Sequence, residues 1–190
     1  MLKFLAQTET TKIQAQYERW YTFMEMQVEF GMDDSELHTK HHCARVLLLA
    51  LKIAVEHRLS EKDIEALSQA AVFHDSRRLD DWLDVGHGQR AAEYYREFCT
   101  LHKLSCDERA YWIMAYHDHD DAVGIQKLED MALENGVLLY QIFKDADALD
   151  RFRIAPDALD IKFLRTDAAK NMVEFAKKLV QNVQAGQHTS

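Results

Sequence analysis

From Val46 to Val55 the chain reads VLLLALKIAV, apolar on nearly every side of a helix, with Lys52 the interruption. A helix that is hydrophobic all round is stable only when other elements cover it. The unbroken part, Val46 to Leu51, is far too short to cross a bilayer, which takes about 20 apolar residues. The cover must therefore be protein, and this helix belongs at the centre of the fold. Asp33, Asp34 and Ser35 offer N-caps for it, and it should run to about Arg58. His38, His41 and His42 fall in its first turns.

What surrounds it should also be helical. One Pro and six Gly in 190 residues leave little for the turns of a β-sandwich, and long amphipathic stretches dominate. The expectation is an all-α, single-domain helical bundle spanning residues 1–190. No repeat, low-complexity tract or linker divides it. Ile13 to Phe30 reads as a first helix ended by Gly31. Its Trp20, Tyr21 and Phe23 suit the core, with a homodimer surface as the other use. Ser60 with Asp63 forms a capping box that opens a helix with Ile64, Leu67 and Ala71 on its buried face. That stripe continues into His74-Asp75. A charged loop with Trp82 follows, from Arg77 to Gly88, and a helix begins near His87. Ser105 and Glu108 read as a second capping box, for a helix that reaches Tyr116-His117-Asp118. A shorter helix from Gly124 should stop at Asn135-Gly136, and Val137 to Arg153 forms the next. Pro156 suits the first turn of a further helix. The amphipathic remainder ends near Val183, with a frayed tail from Gln184.

Charge and cysteines narrow the function. A formal net charge of −9 argues against a nucleic-acid polymer as partner, but not against a small phosphorylated substrate met by local arginines. Cys43, Cys99 and Cys106 form no CxxC and suit buried thiols in a reducing compartment. Neither a secretory signal nor a membrane span is visible, so the cytoplasm is the expected location.

One set of residues carries chemistry: His42, His74, Asp75, His87, His117 and Asp147. Each lies at or near the end of a helix with an apolar face, so each can project into one shared interior. Imidazole nitrogens with carboxylate oxygens suit divalent ions such as Mn, Fe, Co, Ni or Zn. Arg77 and Arg78 follow the doublet at once and could grip a phosphate; at most one is expected to face the site.

This order resembles the H…HD…D pattern of the HD-domain metal-dependent phosphohydrolases. His42-Cys43-Ala44-Arg45-Val46 is similar to the family's HxxRV opening, His74-Asp75 to its doublet, and Asp145-Ala146-Asp147-Ala148-Leu149-Asp150 to its DADxLD ending. The resemblance covers about residues 37–153. His87-Gly88 and the stretch from Tyr111 to His119 resemble segments with extra histidines, found in members that hold two ions or use one histidine in catalysis. Nothing resembles the GYP motif of the cyclic-di-GMP phosphodiesterase branch, and Ser76-Arg77-Arg78 departs from the common HDIG form. The resemblance implies an HD-type bundle and one or two divalent ions, Mg included, held by the six residues. It further implies hydrolysis of a small phosphorylated molecule such as a nucleotide. Asp75 would bridge the ions or orient the water, and His87 and His117 would be ligands or a proton donor. A di-iron oxygenase on the same scaffold and a non-catalytic metal-bound binding module are the alternatives.

Overall fold

A computed structural model describes residues 11–32, 40–82 and 84–187. Among them there are helices and no strands. In chain order the helices are α1 (Thr11–Gln27), α2 (Lys40–Glu56), α3 (Glu61–Phe73), α4 (His87–His102), α5 (Glu108–Tyr116), α6 (Asp121–Asp130), α7 (Gly136–Leu149), α8 (Asp167–Asn171) and α9 (Val173–Gln187). Two 3₁₀ turns, Asp150–Arg153 and Ile161–Phe163, join α7 to α8. No helix is long and apolar enough to cross a membrane.

Helix α2 takes the central place that its sequence demands. Every residue from His42 to Leu51 is buried, and α1, α3, α7, α8 and the first 3₁₀ turn all pack on it. Lys52 is only partly buried and lies against the Phe175 ring, with Nζ 4.5 Å from its centroid. The proposed caps Asp33, Asp34 and Ser35, and His38, lie outside the described residues. Trp20, Met24 and Val28 of α1 are core residues, with Phe23 edge-on to Trp20 and Phe98. The helix stops at Gln27, short of Phe30, and the Gly31 amide instead bonds the Ser76 carbonyl at 2.9 Å.

The Ser60–Asp63 capping box is present in both directions at the start of α3. The second expected box is not. Asp107, in extended conformation, caps α5 through the Arg109 amide at 2.8 Å, so neither Ser105 nor Glu108 is needed. Helix α6 begins at Asp121 and ends at Asp130, and the frayed tail expected from Gln184 is helical to Gln187. Pro156 lies in a turn, not a helix; residues 154–160 run as an irregular loop between the two 3₁₀ turns.

The cysteines also differ from the sequence reading. Cys43 is a buried thiol, but Cys99 and Cys106 are joined as a disulfide. Lys103 takes a left-handed conformation at the C-cap of α4 and turns the chain back, bringing the two Cα atoms to 5.7 Å. This pairing removes the cysteine argument for a reducing compartment.

Candidate metal centre

Five helix ends meet at one point. His42 comes from the first turn of α2, and His74-Asp75 from the C-terminus of α3. His87 opens α4, His117 caps the C-terminus of α5, and Asp147 sits in the last turn of α7. Periodicity explains why: on each helix the apolar stripe that faces the core runs out at these residues. His42, His74, Asp75, His87 and His117 are buried, and the Asp147 side chain is one-third exposed to a cavity.

The geometry forms two overlapping groups, linked through Asp75 and His74. His42 Nε2 is 3.2 Å from His74 Nε2, 3.3 Å from Asp147 Oδ1 and 3.5 Å from Asp75 Oδ2. On the other side, Asp75 Oδ1 is 3.2 Å from His87 Nε2 and 3.7 Å from His117 Nε2, and those two nitrogens are 2.9 Å apart. The sets His42, His74, Asp147 and His74, Asp75, His117 each bring three ligand atoms close enough to hold an ion.

The donor chemistry fits a cation. All four imidazoles have their Nδ1 engaged by fixed acceptors. His42 donates to Asp150 Oδ2 at 2.7 Å and His74 to the Ala71 carbonyl at 2.9 Å. His87 donates to the Asp84 carbonyl at 2.6 Å and His117 to the Met114 carbonyl at 2.7 Å. This fixes the tautomer, so four Nε2 lone pairs face each other and the two carboxylates. Buried acceptors crowded together this way repel, and a positive charge among them relieves the repulsion. The protonation tendencies differ from ring to ring. Burial pushes the His74 imidazole down to about 3, with His42 and His117 acting in the same direction against the pull of Asp75. Burial also opposes charge on His42 and His87. There, hydrogen bonds to Asp147 and Asp150, and to Asp75, outweigh it and raise both. Burial opposes ionisation of Asp147 too, yet the His42, His74 and His117 rings hold its carboxyl well below the usual range.

Behind His42 stands a support that the sequence reading did not assign. Asp150 is fully buried and accepts Arg45 Nε at 2.6 Å and Nη2 at 3.0 Å besides the imidazole. Its position was readable: Asp150 follows Asp147 by three residues and Arg45 follows His42 by three, so each lies beside a ligand on its helix. On the other side, Asp118 accepts the Gly86 amide at 2.6 Å and so anchors the turn from which His87 starts. Gly86 takes φ +89, and a Cβ on Gly88 would come within 2.9 Å of His117 Nδ1 and 2.8 Å of Asp118 Oδ1. Both glycines let α4 approach α5 closely enough for the two histidines to meet.

The two arginines part company. Arg78 is buried, with Nη1 3.1 Å from His87 Nε2 and 3.7 Å from Asp75 Oδ1. Arg77 does not reach the site, which corrects its assignment as a substrate contact. Its guanidinium stacks on Tyr94, 3.3 Å from the centroid, and donates to the Glu29 carbonyl at 2.6 Å. Successive residues of the turn after α3 project to opposite sides, and only Arg78 faces inward. The cluster opens into a cavity of about 870 Å³ lined also by Lys144, Arg151, Arg153 and Arg165. Lys144, which no sequence motif marks as a site residue, bonds the His117 carbonyl through Nζ at 2.8 Å and so supports that turn.

No protein-family model matches the chain, and comparisons with curated proteins and with solved structures likewise return no match.

Proposed function

We propose that the protein is an HD-type metal-dependent phosphohydrolase that binds two divalent ions and cleaves an ester of a small phosphorylated molecule. The observation that carries this reading is Asp75. Its two oxygens point to two different histidine groups, one with His42, His74 and Asp147 and the other with His87 and His117. A carboxylate so placed suits a bridge between two ions of the Mn, Fe, Co, Ni or Zn type, with Mg a weaker fit to so many imidazoles. When bound, the ions supply a water of lowered pKa and positive charge for the phosphoryl oxygens.

The chain's own residues do the rest. Arg78 stands beside Asp75 and His87, where Nη1 can bind a phosphoryl oxygen while Nε and Nη2 are held by the Asp80 and Trp82 carbonyls. Lys144, Arg151 and Arg153 add cationic side chains around the same cavity. In the hydrolysis, a water oxygen forms a bond to phosphorus and the bond from phosphorus to the alcohol oxygen breaks. The water's proton ends on the leaving oxygen, giving an alcohol and inorganic phosphate. His87 and His117 have both ring nitrogens engaged, Nδ1 by a carbonyl and Nε2 within the cluster. That supports ligation for both over a free general acid.

The test is elemental analysis of purified protein followed by phosphate release from a panel of phosphomonoesters with Mn or Co. Near two ions per chain and metal-dependent release are expected, with both lost in Asp75→Ala. Full metal content in Asp75→Ala, or iron-dependent O₂ consumption without phosphate release, overturns the reading.

A further inference from the structure

Two strongly exposed aromatic side chains stand at the edge of the cavity. Trp82, on the loop between α3 and α4, is 85% exposed, and Phe163, in the 3₁₀ turn before α8, is 71% exposed. Both line the cavity into which the His/Asp cluster opens, together with Val85, Ile154 and Leu159. These residues come from two segments more than 60 positions apart in sequence, so the apolar character of the rim is a product of the fold.

Their backbones are fixed although their rings are free of cover. The Trp82 carbonyl accepts Arg78 Nη2 at 2.6 Å, and the Trp82 amide donates to Asp80 Oδ1 at 2.8 Å. Asp84 ties the same loop to Arg90 and to the Leu79 amide. On the second segment, the Phe163 carbonyl accepts Arg165 Nη1 at 3.1 Å, and Arg165 is itself held by Asp121 and Asp145. Two arginines that line the cavity thus each hold one rim aromatic by its backbone. Large apolar side chains kept in water beside a polar site mark a binding surface.

We infer that the substrate carries a flat aromatic group, received by Trp82 and Phe163, while its phosphoryl group lies at the Asp75 cluster. The inference rests on the phosphohydrolase reading for the phosphoryl end only. A cavity of about 870 Å³ has the size of a small-molecule site. Its floor is charged, and its rim carries apolar side chains beside the exposed Arg151 and Asp160, which matches a ligand with an anionic end and an apolar ring. Arg78 contacts both regions, His87 and Asp75 on the floor and the Trp82 carbonyl at the rim.

The experiment compares the metal-loaded full chain acting on 2-phenylethyl phosphate and on ethyl phosphate, whose leaving alcohols are of similar basicity. Binding of benzylphosphonate and methylphosphonate, which cannot be hydrolysed, is measured by calorimetry alongside. The aromatic member of each pair should be preferred by about tenfold, the scale of one aromatic stack. Trp82→Ala and Phe163→Ala should each erode that ratio, and Trp82→Phe should keep most of it. Equal values within each pair, or a preference untouched by both alanine variants, overturns the inference. So does a dimer that dissociates in Trp82→Ala, because the rim is then an interface between copies. An aromatic preference among the phosphonates without cleavage of any ester defeats the hydrolase reading and leaves the rim assignment standing.

Discussion

Removing the Asp150 carboxylate should damage the protein in two separable ways. Asp150 is fully buried and takes two hydrogen bonds from Arg45 and one from His42, with Arg153 Nη1 at 3.5 Å. In Asp150→Ala the Arg45 guanidinium, its side chain 8% exposed, stays buried without its anion. Breaking a buried pair on one side costs about 3–5 kcal/mol. That is a large part of a typical folding free energy of about 5–15 kcal/mol. The second effect falls on His42, whose Nδ1 loses the acceptor that sets its tautomer. Loss of such an outer partner weakens metal binding by about 10- to 100-fold. Metal-induced stabilisation should then drop by a further ~1.4–2.8 kcal/mol. Urea unfolding in chelator reads the first effect. The added stability in saturating Mn²⁺, with Mn²⁺ calorimetry, reads the second. A double variant, Arg45→Met with Asp150→Leu, separates them. It replaces the pair by apolar groups and should recover most stability in chelator. It should not recover Mn²⁺ affinity, because His42 still lacks its acceptor. Asp150→Ala within about 1 kcal/mol of the parent in chelator, a small fraction of the expected pair-breaking cost, would refute the charge argument. Parental Mn²⁺ affinity in the double variant would refute the role of Asp150 in holding the ring.

Gly88→Ala places a methyl against His117 Nδ1 and Asp118 Oδ1, so α4 must withdraw. It should cost about 1–3 kcal/mol by overpacking and lower the metal content by loss of the His87–His117 pair; unchanged stoichiometry would contradict this. Arg78→Ala should cut kcat/KM for a phosphate ester by about 10- to 100-fold. Arg77→Ala should instead lose about 0.5–2 kcal/mol of stability with its Tyr94 stack and leave kcat/KM alone, and equal kinetic effects would refute the separation. Burial raises the Asp63 carboxyl, but Ser60, Arg109 and Asn135 outweigh it and hold the group below its usual range. Its stabilisation is therefore complete above the unfolded value of about 3.9 and is lost as pH falls through the lower folded value. The gap in unfolding free energy between the parent and Asp63→Asn should close in acid below about pH 4; a gap that persists through the acid range would sink the assignment.

Most of the helices, though not the one expected at Pro156, and the face each turns inward follow from local chemistry. A 3.6-residue periodicity and a capping box are local, written in neighbours such as Ser60 and Asp63 or along Val46–Val55. The same periodicity carried His42, His74, His87, His117 and Asp147 to the ends of buried stripes, so the residues that meet were legible before their meeting was. Tertiary structure decided what those stripes face. The Arg45–Asp150 pair joins residues 105 positions apart; a spacing of three from His42 and Asp147 places each beside a ligand, but only packing brings the two together. Arg77 and Arg78 differ only in which way a turn points them, and that is set by Tyr94 on α4 and His87 at its start. Asp107 displaced the expected Ser105 cap because its extended backbone begins α5 two residues later. The Cys99–Cys106 bond follows from the left-handed turn at Lys103, and the exposed rim from loops at residues 77–86 and 154–163 that carry no periodicity. Short-range chemistry fixes an element and its apolar face; only packing selects the partner, because the free energy of a buried charge or an exposed ring depends on what the rest of the chain brings beside it.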